Sequence, residues 1–213
     1  MIWLRRMLIG IALLLAAVVG LVAMSQYANY DPQNDTRNTV NFASQPRALG
    51  LHALGAPFAP LIGLLQWSTR VRRRWPCVHR WLGRVYLTIG VMIGGSAALW
   101  LSFHAYGGPL SRAGFAVAAV VWLYVSAQAF LAIRGGDVRA HRVWMMRSLA
   151  MALAAVTLRV YLPVLSVSGV PFLVSYRIVA WASWLPNLLL AEWVIWRERR
   201  GGAYPIAASG AER

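Results

Sequence analysis

The chain has 213 residues, 59% of them hydrophobic and only 13% charged. A soluble domain carries about 25% charged residues, so the deficit excludes water as the main solvent and implies a bilayer. The formal net charge is +15 with no lysine, yet the arginines alternate with long apolar runs and line no single polar face, which excludes a nucleic-acid-binding domain.

Apolar runs of about 20 residues cross a hydrocarbon core as helices. Six such spans are expected, over Met7–Tyr27, Leu49–Thr69, Val85–Tyr106, Ala113–Ile133, Leu149–Val167 and Ser175–Trp196. The first follows Arg5 and Arg6, and its apolar region exceeds the 7–15 residues usual in a signal peptide. It reads as an uncleaved anchor within residues 1–28; the alternative is cleavage at Ala23-Met24-Ser25. Residues 29–48 form a polar exterior loop, 49–167 a four-helix membrane core, 175–197 a C-terminal transmembrane helix and 198–213 a cytoplasmic tail. The fold class is all-α: a polytopic helix bundle with helices two to five as its core.

Orientation follows from the arginines, because cytoplasmic loops retain positive charge. With the N-terminus inside, fifteen arginines fall on the cytoplasmic side; Arg37, Arg47, Arg112 and Arg177 fall outside. Both termini are then cytoplasmic. Trp75, Trp81, Trp144, Trp193 and Trp196 sit near the inner interface, as an aromatic belt does.

A shift of 62 positions superimposes Gln66 on Gln128, Arg72 on Arg134, His79 on His141 and Arg80 on Arg142. Each hairpin reads Gln, twelve residues, His-Arg. Parallel repeats of this kind occur in transport folds; chance alignment of two arginine-rich hairpins is the alternative.

Arg159 lies twelve residues beyond Arg147, about 18 Å into the membrane. A charge there costs roughly 2.5–3.5 kcal/mol, so the side chain must face the bundle interior. Glu192 is the one carboxylate in a span, and Tyr161 and freed backbone carbonyls are other partners for it. Arg159 serves either as a clamp between helices or as a site for an anionic ligand.

The histidines sort into an outer pair, His52 and His104, and an inner pair, His79 and His141. Pro57 and Pro60 free carbonyls beside His52, as in a polar cavity. Histidines on different helices raise the alternative of b-type haem. Against it, His79 and His104 stand 25 residues apart, about 37 Å of rise, and His79 is ringed by arginine. No His or carboxylate pair has the helical spacing of a metal site, and the lone Cys77 forms no disulfide or nucleophilic pair. No metal, no catalytic set and no obligatory cofactor are expected.

The run His79-Arg80-Trp81-Leu82-Gly83-Arg84-Val85-Tyr86 resembles the His-Arg-x-x-Gly-Arg-x-Tyr signature of a bacterial membrane family, domain of unknown function 2306. His141-Arg142-Val143-Trp144-Met145-Met146-Arg147-Ser148 is similar to its second signature, and Leu158-Arg159 to a third element. His52 and Gln66 fall where that family has His and Gln; His104 does not. The resemblance covers about Leu49 to Leu165; it implies a bacterial inner-membrane protein and no reaction.

The candidate ligand-binding residues are His52, Gln66, His79, Arg84, Gln128, His141, Trp144, Arg147 and Arg159. The expected function is a membrane binding or transport-type module with a His/Gln/Arg pocket, in contact with lipids and an unidentified small molecule. Alternatives are a haem- or quinone-linked redox protein and a structural membrane subunit.

Overall fold

The computed structural model describes residues 45–200, together with seven scattered helical positions between Gly10 and Ser25. The first predicted span, Met7–Tyr27, otherwise lies outside the described residues, as do the exterior loop up to Ser44 and the tail from Gly201. Among the described residues the regular structure is all helical, and five helices are long and apolar enough to cross a bilayer. Counted on from the predicted first span, the second is Pro46–Gln66, the third Pro76–Ser102 and the fourth Pro109–Arg134. The fifth is Val138–Val167 and the sixth Phe172–Arg200. The expected helical membrane bundle is therefore present.

Two spans start well before their apolar runs. The third begins at Pro76 instead of Val85, and the fifth at Val138 instead of Leu149. Hydropathy misses these turns because they are polar, but arginine favours helix and both starts are well made. Proline occupies the first turn of the third span, where its missing N–H costs nothing. Asp137 caps the fifth, its Oδ1 accepting from Ala140 N–H at 2.8 Å. A short helix, Thr69–Arg74, fills the turn between spans two and three, capped by Ser68. His79 and His141 consequently stand on helices, three residues from their first residues.

The spans are not straight rods. The second breaks at Ala56-Pro57, between Pro46–Gly55 and Phe58–Gln66, because proline cannot continue the backbone ladder. The third widens into a π-helix over Tyr86–Ile93. The fifth is interrupted at Leu153, between Val138–Ala152 and Ala154–Val167. Spans two and three cross almost backbone to backbone. A Cβ on Gly94 would stand 2.6 Å from the Ala56 nitrogen, and one on Gly55 would stand 2.8 Å from the Ile89 carbonyl oxygen. Small residues at such a crossing are the usual means of helix association in lipid.

The 62-residue offset extends into the architecture. It carries Pro76 onto Val138, the first residues of the two ascending spans, and Tyr86–Ile93 onto the stretch containing the Leu153 break. Span two packs on span five and span three on span four, the exchange that a two-fold relation between hairpins demands. The core lies on this axis, around Ala59, Ile62, Tyr86, Val91, Trp122, Val125 and Met151.

The relation fails in one half of the molecule. Away from the arginine-rich end, Pro46–Gly55 packs closely on Gly94–Ser102. The equivalent segment, Ala154–Val167, instead leaves span four and packs on Phe172–Ala182, which itself packs on span four. No residue of Ala154–Val167 is buried.

Candidate functional site

Polar side chains gather where spans two to five meet, on three levels. The first is at the arginine-rich end. Gln66, buried at the end of span two, donates its Nε2–H to the His79 carbonyl at 2.7 Å. In the second hairpin the roles exchange: the His141 ring, through Nδ1, donates to the Ala129 carbonyl at 2.8 Å. A carbonyl only accepts, so Nδ1 carries the proton and the neutral ring leaves Nε2 as a lone pair. The His79 and His141 rings lie within electrostatic reach of each other, and Arg72 lies near His79. Nδ1 of His79 is buried without a hydrogen-bond partner.

Seven residues on, two helical turns and about 10 Å deeper, each ascending span presents a hydroxyl. Tyr86, fully buried, bonds Ser148 at 2.6 Å, and Ser148 bonds Ser126 at 2.6 Å. Tyr86 and Ser148 are 62 residues apart, equivalent positions of the two hairpins, so the pseudo-two-fold axis passes between them. Trp122 Nε1 approaches the Tyr86 oxygen but completes no hydrogen bond of good geometry. Neither hydroxyl nor indole is among the sequence candidates. Tyr86 and Ser148 stand at matching places in the two quoted motifs, and the offset alone carries one onto the other.

The third level lies about two turns further. The His52 ring donates through Nδ1 to the Gly94 carbonyl at 3.0 Å. Arg159 donates Nη1–H to the Ala155 carbonyl at 3.2 Å. The two cationic-type side chains lie within electrostatic reach of each other. Arg159 meets no carboxylate among the described residues.

Glu192, read as a partner for Arg159, belongs to Arg147 instead. The pair is bidentate, Nε to Oε1 at 2.5 Å and Nη2 to Oε2 at 3.0 Å. Arg147 also stands 4.4 Å from the Trp144 ring centroid. These residues tie span six to span five, and a second pair, Arg142–Glu198 at 3.5 Å, lies further out. Arg84 is exposed, 5.0 Å over the Trp81 ring. Gln128 is half-buried, one residue before the carbonyl that His141 uses.

The outer histidines are not level. His52 bonds Gly94, whereas His104 bonds the Trp100 carbonyl at 3.2 Å, six residues or about 9 Å further along span three. The candidates thus fall into three places: Gln66, His79, Gln128 and His141 at the first level; His52 and Arg159 at the third; and Arg84, Trp144 and Arg147 on the rim. Among the described residues no group of three His, Cys, Asp or Glu could hold a metal ion.

A helical bundle with buried polar side chains on its axis and apolar residues over its outside defines a polytopic membrane protein. The family model described as "Predicted membrane protein (DUF2306)" matches residues 49–195, and the chain belongs to that family. The match runs past Leu165 through most of span six, so the Arg147–Glu192 pair lies within the family unit. No curated protein and no solved structure matches the chain.

Proposed function

We propose that the protein is a binding or transport-type module of the bacterial inner membrane that takes an anionic ligand from the cytoplasm. Its pocket is formed by Gln66, His79, Gln128 and His141, with Arg84 at the rim and His52 and Arg159 deeper on the same axis. The observation that carries this reading is the buried Tyr86–Ser148–Ser126 hydrogen-bonded cluster where the two hairpins meet, with Gln66 bonding the His79 carbonyl and the His141 ring bonding the Ala129 carbonyl two turns away at the arginine-rich end. Thirteen arginines against three carboxylates at that end, among the described residues, supply an attractive field for anions. The same excess supports a cytoplasmic orientation for it.

The test is thermal unfolding of the full-length protein in detergent, titrated with inorganic phosphate or succinate. Either anion should raise the midpoint saturably, by about 2.7 kcal/mol of stabilisation at one hundred times Kd. His79→Ala/His141→Ala should abolish the rise, and Arg73→Gln/Arg74→Gln should retain it. A rise that survives loss of both histidines, or no rise in the unaltered protein, defeats the reading.

A second reading, one b-type haem between His79 and His141, has one observation in its favour. Nδ1 of His141 is committed to a backbone carbonyl, which leaves Nε2 in the posture of an iron ligand. The visible spectrum of the purified protein separates the two readings. The anion pocket predicts no Soret band; a band that shifts on reduction and disappears in His141→Ala selects the haem reading.

A further inference from the structure

The end of the bundle opposite the arginine-rich one carries a small positive cluster of its own. The chain enters span four through Gly107 and Gly108, both in the left-handed region at φ 90° and 80°. Pro109 is the first helical residue, and no side chain caps the turn. Arg112 N–H bonds the Gly108 carbonyl at 3.1 Å, which leaves the N–H groups of Leu110 and Ser111 without an acceptor in the helix. The 26-residue helix also ends its dipole here, positive end outward.

Two guanidiniums stand on the same turn. Arg112 Nε donates to the Ala105 carbonyl at 3.4 Å, and Arg177 Nε to the Gly107 carbonyl at 2.9 Å. Trp181, one turn after Arg177, donates to the Leu110 carbonyl at 3.2 Å and so fixes the facing helix in register. Arg177 Nη2 lies 4.0 Å from where a Cβ on Gly108 would stand. Cations are unfavourable at a helix N-terminus unless an anion joins them. Among the described residues neither arginine pairs with a carboxylate. Ser111 points to a ligand independently. It is fully buried in the first turn, and its hydroxyl has no hydrogen-bond partner. That hydroxyl turns back onto the Gly107 elbow, where an added Cβ would collide with it.

The surroundings specify the source of the anion. The cluster occupies the first turn of a spanning helix, which is headgroup depth. Tyr106, next to Gly107, meets the Phe172 ring at 5.6 Å and the Tyr176 ring, next to Arg177, at 5.8 Å between centroids. Tyrosine favours that depth. Leu110, Phe172 and Leu173 are exposed apolar residues beside the turn, suited to acyl chains.

We infer that the N-terminus of span four binds the phosphate of an acidic phospholipid. Leu110 N–H, the N–H and hydroxyl of Ser111, and the Nη groups of Arg177 donate to its oxygens, and Arg112 adds charge. A choline or ethanolamine headgroup brings its own cation, which this cluster repels, so the selection is for net negative headgroups. The site is independent of the histidine pocket at the other end.

The experiment uses full-length protein in phosphatidylcholine nanodiscs containing a trace of phosphatidylglycerol with a headgroup diazirine. After illumination, labelled peptides are mapped by mass spectrometry. Label should fall within residues 105–112 and 172–177. It should exceed that from phosphatidylcholine carrying the same group by about tenfold, the equivalent of one charge-assisted hydrogen bond. Arg177→Gln keeps a donor for the Gly107 carbonyl, removes the charge and should bring the label to the phosphatidylcholine level. Ser111→Ala breaks no bond within the protein and should lower the label in part, so it decides the matter if Arg177→Gln fails to fold. His79→Ala/His141→Ala and Arg73→Gln/Arg74→Gln should leave the label at these peptides intact, which separates this site from the histidine pocket and from the general arginine field.

Equal labelling by the two lipids overturns the inference, as does undiminished labelling in both Arg177→Gln and Ser111→Ala. Displacement of the label by inorganic phosphate equimolar with the lipid would make the ligand a soluble anion and overturn it as well. So would a rise of about tenfold in Asp31→Asn/Asp35→Asn, because the chain's own carboxylates would then occupy the turn.

Discussion

Gly94→Ala should remove most of the folded protein, although it adds one methyl group to a membrane helix. The new Cβ would stand 2.6 Å from the Ala56 nitrogen and 3.0 Å from its Cα. Both are backbone atoms of the facing helix, so no side chain can rotate away. Overpacking costs about 1–3 kcal/mol where side chains relax, and this position belongs at the top of that range. The crossing also positions His52, whose ring bonds the Gly94 carbonyl. Spreading the two spans breaks that bond along with the packing.

Two neighbours grade the effect. Gly90→Ala meets the Ala59 Cβ at 3.0 Å, the end of a short side chain, and should cost less. Gly135→Ala finds nothing nearer than 3.5 Å and has φ −78°, so it should be neutral or stabilise by up to about 1 kcal/mol. Thermal unfolding and the monodisperse fraction in detergent rank the three. If Gly94→Ala unfolds within a degree of the unaltered protein, the close crossing of spans two and three is wrong.

Part of this architecture is legible in the amino-acid order because hydrocarbon imposes strong rules. Spans two to six stand out as apolar runs, and arginine gathers at one end of the bundle by charge alone. The coincidence of four polar residues at an offset of 62 points to paired hairpins, and the helix starts at Pro76 and Val138 obey the same offset. The same pairing puts His79 and His141 at equivalent places, three residues into the two ascending spans.

What stays hidden depends on helix rotation and on backbone irregularity. Serine and tyrosine hydroxyls in a span carry no penalty conspicuous enough to mark them, so the Tyr86–Ser148–Ser126 cluster is visible only once both inner faces are known. The π-helix at Tyr86–Ile93 contains no proline, and hydropathy does not register it. The lateral departure of Ala154–Val167 results from span six packing between it and span four. No local pattern records such an insertion. Arg159 is conspicuous as a charge, but its surroundings are not.

Arg147→Leu should loosen span six from the bundle, and the cause lies in a partner choice that depth alone misjudges. Glu192 is the nearest acidic residue to Arg159 in hydropathy terms, yet it faces Arg147 because Leu185–Arg200 packs mainly on Val138–Ala152 and meets Ala154–Val167 through its first turn, where Asn187 bonds Thr157 at 3.0 Å. Both guanidinium nitrogens on one edge meet both carboxylate oxygens, the fork geometry that lysine cannot reproduce. The Trp144 ring covers the arginine, whose side chain is 17% exposed against 45% for the glutamate. The half-exposed carboxylate limits the coupling to about 1.5 kcal/mol, the low end for bonds to charged groups.

A double-mutant cycle with Arg147→Leu and Glu192→Leu measures that coupling by thermal unfolding. Arg147→Leu alone should cost more than the coupling, since it also strips the Trp144 face and leaves a carboxylate without its fork. Arg147→Lys should recover less than half of the loss. Additive single and double variants would mean that the pair contributes nothing. Span six would then be held by Ala191 and Ile195 against Val143, Met146 and Ala150, with the charges as bystanders.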